Sequence, residues 1–209
     1  AVHYTLDGTK PTLSSPLYTH PISIKHACTL RAAAFRAWGE TPEITRSFQF
    51  NKATACPIRL LQQLHPQQVY GGATLLVDGL TADDTNYASG RWIGFCGNDL
   101  EAVIDLGSLQ TVHELSLRTC VEKGYWLFDA RSITIEGSTD GQHFVPLAHE
   151  EYAPLTEQNS NAIYPHKLTF VPSAARYVKV KVASERSIPA WHPGKGHPGF
   201  VFVDEICVE

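Results

Sequence analysis

The chain has 209 residues, 43% of them hydrophobic and 18% charged, with a net charge of −4. That balance supplies apolar material for one or two cores, and the lack of a basic block removes nucleic acid from the expected partners. No apolar run approaches the ~20 residues of a membrane-spanning helix, so no membrane span is expected. No signal-peptide pattern precedes the strand-like VHYTL at the start, and there is no Met in the sequence. We therefore expect a fragment of a longer protein.

Residues 1–50 read as a small all-β unit. Val2 to Leu6 is a short strand, followed by the Asp7-Gly8 turn signal and a Pro- and Ser-containing loop. Ile22 to Ile24 is expected as a second short strand. Cys28 to Trp38 is a longer one, in which Ala32, Ala33 and Ala34 suit a helix but the flanking Gly39 and the alternation from Thr45 to Phe50 favour a sheet. Asn51-Lys52 is the expected seam between domains.

Beyond the seam, Ile58 to Leu64 is an apolar-rich stretch, and Leu75-Leu76-Val77 reads as a strand ending at the Asp78-Gly79 turn. Ala102, Ile104 and Leu106 alternate with Glu101, Val103 and Asp105, the period of a strand with one buried face. Leu115 to Val121 alternates again. Ser132 to Gly137 runs into the hairpin signal Ser138-Thr139-Asp140-Gly141, and Phe144 to Leu147 returns. Glu150 to Pro165 reads as loop, Lys167 to Val171 and Tyr177 to Val182 as strands, Ser187 to Gly199 as a loop rich in Pro, Gly and His, and Phe200 to Val208 as the closing strand. Many short strands with turns between them predict an all-β sandwich or jelly roll.

The loop from Thr81 to Asn86 is dense in oxygen-bearing side chains. Such a loop suits Ca²⁺, which takes six to eight oxygen ligands. It suits equally a solvated loop in which Asp and Asn serve turns. Five cysteines, Cys28, Cys56, Cys96, Cys120 and Cys207, show no zinc spacing, and their odd count leaves at least one thiol free.

Asp204-Glu205 is the one adjacent acidic pair that invites a catalytic reading. Neighbouring strand residues point to opposite faces, whereas glycoside hydrolysis needs two carboxyls flanking one bond. A (β/α)₈ barrel needs ~250 residues, which the chain lacks, so no catalysis is expected. Sugar binding needs an aromatic face and polar side chains around it. The aromatic candidates are Tyr87, Trp92, Tyr125, Trp126 and Trp191; Arg91, Lys123, His192 and His197 are the polar ones. Each aromatic has core packing as its rival role, and Trp191-His192, among Pro and Gly, is the pair most expected in an exposed loop.

Two resemblances cover nearly the whole chain. HYTLDGTKPTLSSPLYTHPI, residues 3–22, resembles the small Ig-like domain near the C-terminus of bacterial chitobiases and β-hexosaminidases of glycoside hydrolase family 20. Residues 53–209 resemble a factor V/VIII type C (discoidin, galactose-binding-like) domain through LVDG, NYASGRWIGF, DLEAVIDLG, YWLFDARSITIEGSTDGQHF, RYVKVKV and WHPGKGHPGFVFVDEI. The fold implied is a small Ig-like β-sandwich (1–50) followed by a discoidin-like jelly roll (53–209). The resemblance implies a periplasmic or extracellular, non-catalytic accessory fragment. Its implied partners are a glycan and the missing catalytic domain of the same chain. A purely structural domain and a protein-adhesion module are the rivals, because fold does not fix function. It further implies a structural Ca²⁺ held by Asp78 and Glu205, with Asp83 or Thr85 contributing. The loop departs from the family pattern at Ala82-Asp83-Asp84. It also implies that the first and last strands of the jelly roll lie side by side, which would bring Cys56 near Cys207.

Overall fold

A computed structural model describes residues 1–66 and 71–209. The chain packs as two compact units, Ala1–Phe50 with Gly79–Thr81, and Asn51–Asp78 with Ala82–Glu209.

The first unit holds β1 (Val2–Thr5), β2 (Cys28–Arg36), β3 (Gly39–Glu40) and β4 (Ile44–Phe48). Its described strands form one antiparallel layer centred on β2. β1 pairs along Arg31 to Ala34, β4 along Cys28 to Ala32, and β3 at Phe35 and Arg36. The three alanines thus sit in a strand laddered along β1, and at Ala32 along β4 as well, and these ladders override their helical propensity. Gly8 takes a left-handed φ of 77°, and Asp7 Oδ1 accepts from the Thr9 backbone N–H at 3.0 Å, closing the expected turn. Ile22 to Ile24 forms no strand, contrary to the expectation. Ile22 instead lines an apolar groove with Tyr4, Tyr18, Leu30 and Ile44, so its burial comes from side-chain packing and not from a ladder. Gly79 and Leu80 extend this unit's edge: the Gln49 N–H donates to the Gly79 carbonyl at 2.8 Å, and Leu80 bridges to Phe48.

The second unit contains β5 (Ile58–Leu60), β6 (Ile93–Cys96), β7 (Leu100–Val121), β8 (Ser132–Ser138), β9 (Val145–Glu151), β10 (Ala162–Ala183) and β11 (Phe200–Val208). All its ladders are antiparallel, in the order β6-β11-β7-β10-β8-β9, with β5 added to β7. β7 and β10 are 22 residues each. Leu100 to Asp105 pairs with Tyr177 to Val182, and Gln110 to Val121 pairs with Ala162 to Ala175. The first of these stretches carries β5 and β8, the second carries β11, so β7 and β10 run through both layers of the roll. The sequence pattern divides each long strand in two because the alternation lapses where the strand passes from one layer to the other; in β7 that lapse is exposed Gly107-Ser108-Leu109.

The core lies between the layers. Ala102, Ile104, Leu115, Leu117, Ile133, Val178, Val180 and Val203 belong to one buried cluster. The alternation anticipated for β7 is present: Ala102, Ile104 and Leu106 are buried, and Glu101, Val103 and Asp105 are half-buried. Leu75-Leu76-Val77 departs from its expected strand and lies in a 3₁₀ turn, Gly72–Val77. All three side chains are buried, which a strand with one covered face does not achieve for three consecutive residues. The expected hairpin at Ser138–Gly141 joins β8 to β9. Asp140 Oδ1 accepts the N–H groups of Gln142 and His143 at 2.8 and 2.9 Å, and Gly141 takes φ 75°. β11 is buried from Val201 to Ile206, covered on both faces.

Candidate functional site

The loop that follows the 3₁₀ turn is anchored before it reaches the surface. Asp204, in β11, is fully buried, and its Oδ2 accepts the Ala82 N–H at 2.9 Å and the Arg118 guanidinium from β7. Arg118 also donates to the Ala82 carbonyl at 2.9 Å. Burial raises the Asp204 carboxyl above the usual carboxylate range, opposed by hydrogen bonds from Arg118, Ala82 and Glu205. From Ala82 the chain turns through two side-chain contacts. Asp84 Oδ1 accepts the Asn86 N–H at 2.9 Å, and Asn86 Oδ1 accepts the Ala88 N–H at 3.2 Å. These are the local Asp and Asn turns that compete with regular structure.

Opposite this loop, β7 runs out at Val121 into Glu122 and a 3₁₀ turn, Lys123–Tyr125. Glu122 Oε2 accepts the Thr85 hydroxyl at 3.3 Å, and its Oε1 accepts the Asn161 amide. The two segments enclose a cavity of about 420 Å³ lined by Asp84, Thr85, Asn86, Tyr87, Ala88, Glu122 and Tyr125. The Tyr87 and Tyr125 rings lie 5.1 Å apart, tilted by 53°. Tyr87 is held from behind by the edge of Phe202 at 5.8 Å, whereas Tyr125 is 61% exposed. One ring is fixed and one is open, with two carboxylates and several hydroxyl and amide groups around them. That arrangement can cover an apolar face and satisfy hydroxyls.

Of the residues singled out from the sequence, Tyr87, Tyr125 and Thr85 line this cavity. Trp92 is fully buried with Ala82, Cys120, Leu127 and Phe202, and its indole N–H donates to the Asp84 carbonyl at 3.2 Å. It therefore supports the loop from beneath and does not face a ligand. Arg91 donates to Asp78 Oδ2 at 3.0 Å. Lys123 Nζ donates to the carbonyls of Glu157 (2.7 Å) and Asn159 and lies 5.4 Å from the Trp191 ring centre. Trp191 is half-buried against Phe128 and donates to the Leu155 carbonyl at 3.2 Å. His192, expected in an exposed loop, is buried. Its Nδ1 accepts the Gly194 N–H at 2.9 Å, so Nε2 donates to the Lys123 carbonyl at 2.9 Å. Gly and Pro in this loop bring its backbone onto Trp126, where a Cβ at Gly194 would approach the indole to 2.9 Å. Trp126, at φ 65°, stays partly exposed with His197 stacked on it at 5.5 Å. Glu122 is the lining residue the sequence reading passed over. It sits one residue past the alternating run of β7, and nothing local marks its side chain as shared with Thr85.

The residues expected to hold calcium are placed differently from one another. Asp78 is ion-paired with Arg91, the Thr85 hydroxyl is given to Glu122, and Asp83 is exposed, while Glu205 is buried in β11. Among the described residues no three His, Cys, Asp or Glu side chains stand together at metal-holding distance. The Arg91 guanidinium already engages Asp78, so a Ca²⁺ held there would have to displace it, and no role is derived through the ion. All five cysteines are free thiols. The first strand of the roll, β5, pairs with β7 and not with the last strand, β11, so, contrary to the expectation, the two do not lie side by side. It is the segment before β5 that reaches the end of β11: the Lys52 N–H donates to the Val208 carbonyl at 2.9 Å, and the Cys56 thiol lies 3.2 Å from the Lys52 carbonyl.

Seven antiparallel strands folded over one core, with ligand-sized concavity built from loops, define the larger unit as a discoidin-like jelly roll. The chain belongs to the F5/8 type C domain family, whose model matches residues 62–199. Residues 1–48 match a second model, Fn3 associated. Among solved structures the chain is similar to chitosan-binding module 1 from a chitosanase/glucanase of Paenibacillus sp. IK-5, at 18% identity and TM-score 0.48 over 77% of this chain and 99% of that one. A fucose-binding module of Streptococcus pneumoniae is similar at 19% identity and TM-score 0.48, over 77% and 94% of the two chains. A Clostridium perfringens module solved with GalNAc-β-1,3-galactose is similar at 16% identity and TM-score 0.47, over 73% and 93%. A comparison with curated proteins returned no match.

Proposed function

We propose that this chain is a non-catalytic accessory segment that binds carbohydrate in the cavity between Tyr87 and Tyr125. The observation that carries the reading is the cavity itself. It has about 420 Å³ of open space, an exposed tyrosine ring beside a fixed one, and polar side chains on the remaining wall. Sugars present a face of C–H groups and a rim of hydroxyls, and this lining offers a partner to each. The catalytic domain it would serve is that of a family-20 β-hexosaminidase in the periplasm or outside the cell, a reading supported by the YTLDG segment near the start of the chain.

The test is a glycan array followed by calorimetric titration of the best ligand against the parent chain and Tyr125→Ala. Removing an exposed stacking ring costs about 1 to 2 kcal/mol once its contact area is included, so affinity should fall about tenfold with the melting temperature unchanged. Glycan binding that survives Tyr125→Ala at full strength would place the site elsewhere. Absence of binding to any glycan would leave a structural role.

A further inference from the structure

The lining of the cavity has a sign as well as a shape. Asp84 and Glu122 both face it, and none of the other lining residues is basic. Among the described residues no Lys, Arg or His pairs with either carboxylate. Their partners are neutral: the Asn86 N–H for Asp84, and the Thr85 hydroxyl and Asn161 amide for Glu122. Lys123, adjacent in sequence to Glu122, has its ammonium committed to the Glu157 and Asn159 carbonyls and the Trp191 ring. Among the described residues, therefore, no cation is paired with the carboxylates of the cavity.

A neighbouring group senses that charge. The Cys120 thiol is buried 3.5 Å from the Thr85 carbonyl. It is pushed up to about 12, first by burial and then by the carboxylates of Glu122, Asp204 and Asp84. The tyrosine pair adds a second attraction for a cation, because ring faces carry negative potential.

Resting on the carbohydrate reading of this same cavity, we propose that its ligand is a cationic amino sugar, a glucosamine-type residue with a free protonated amine, in preference to neutral or N-acetylated sugars. The tyrosines take the apolar face and the amine stands between Asp84 and Glu122. Two carboxylates about 5 Å from an ammonium in high dielectric give roughly a tenfold preference over the uncharged sugar, and salt weakens it.

The experiment titrates the full chain with three probes at pH 6: the glucosamine trisaccharide, the N-acetylglucosamine trisaccharide and lactose. Each titration is done in 20 mM and 300 mM salt, and with the variants Asp84→Asn, Glu122→Gln and Tyr125→Ala. The expected result is at least tenfold tighter binding of the deacetylated trisaccharide, a preference that shrinks several-fold in high salt. Either carboxamide variant should lose part of the preference for the amine. Asp84 is exposed, so Asp84→Asn keeps the test open if Glu122→Gln melts early. If N-acetylated or neutral sugar binds as tightly as the amine, and Tyr125→Ala abolishes it, the cationic assignment fails and the carbohydrate reading stands. If none of the three binds and the glycan array is also blank, both fail.

Discussion

Arg118→Met tests what holds the 81–88 loop to the roll. The substitution keeps an unbranched apolar stem and removes the cation from Asp204, whose side chain is 0% exposed. Breaking a fully buried pair by removing one partner costs about 3 to 5 kcal/mol. The Arg118 side chain is 29% exposed, so water reaches part of the pair and the expected loss is discounted to about 2 to 3 kcal/mol. For a chain of this size each 1 kcal/mol moves the melting temperature by about 2–4 °C, which gives a fall of about 5–10 °C at pH 7.5. The pH dependence carries a sign. Burial already raises the folded-state pKa of Asp204, and losing Arg118 raises it further. A folded carboxyl that titrates above its unfolded value destabilises the protein at higher pH. The penalty is relieved as pH falls through the folded pKa towards the unfolded one. Melting curves at pH 7.5, 6 and 5 should therefore show the gap between variant and parent closing as pH falls. Arg118→Lys, which keeps the charge and loses the fork, should lie between them. A variant that melts within 2 °C of the parent at pH 7.5 (about 1 kcal/mol or less), with a gap independent of pH, would refute the claim that this pair compensates the burial of Asp204.

Gly94→Ala should destabilise by overpacking. A Cβ there would come within 2.5 Å of the buried Phe202 ring, so a loss of about 1 to 3 kcal/mol is expected, read from denaturant melts. Calcium must displace Arg91 from Asp78 to be held by that carboxylate, so the melting temperature should be the same in calcium and in EGTA. A rise in calcium that is lost in Asp78→Asn would show that the ion wins the exchange. Cys120 and Cys207 are each pushed up to about 12, chiefly by burial. In the native protein at pH 8 both should resist iodoacetamide, and in denaturant all five thiols should alkylate without prior reduction.

Much of the strand content could be read from period-2 alternation, because one face of each strand must bury while the other does not. The faces of β7 around Ala102–Leu106 and Leu115–Leu117, the Ser138–Gly141 hairpin and the bounds of β11 all follow from that pattern and from turn chemistry. The dense Asp and Asn of the 81–88 loop were legible as turn formers, and Tyr87 and Tyr125 as aromatic candidates. Local pattern carries no information on what packs from afar, and the remaining outcomes depend on that. Leu100–Val121 is one strand because β10 follows it past the exposed Gly107–Leu109 break, a partner about 60 to 75 residues away. Trp92 and His192 are covered, and Tyr125 is left open, by segments distant in sequence. Asp78 pairs with Arg91, a partner that composition leaves open. The cavity itself exists only where the loop anchored on Asp204 meets the end of β7. Tyr87 and Glu122 come from those two places, and only tertiary packing brings them to one wall.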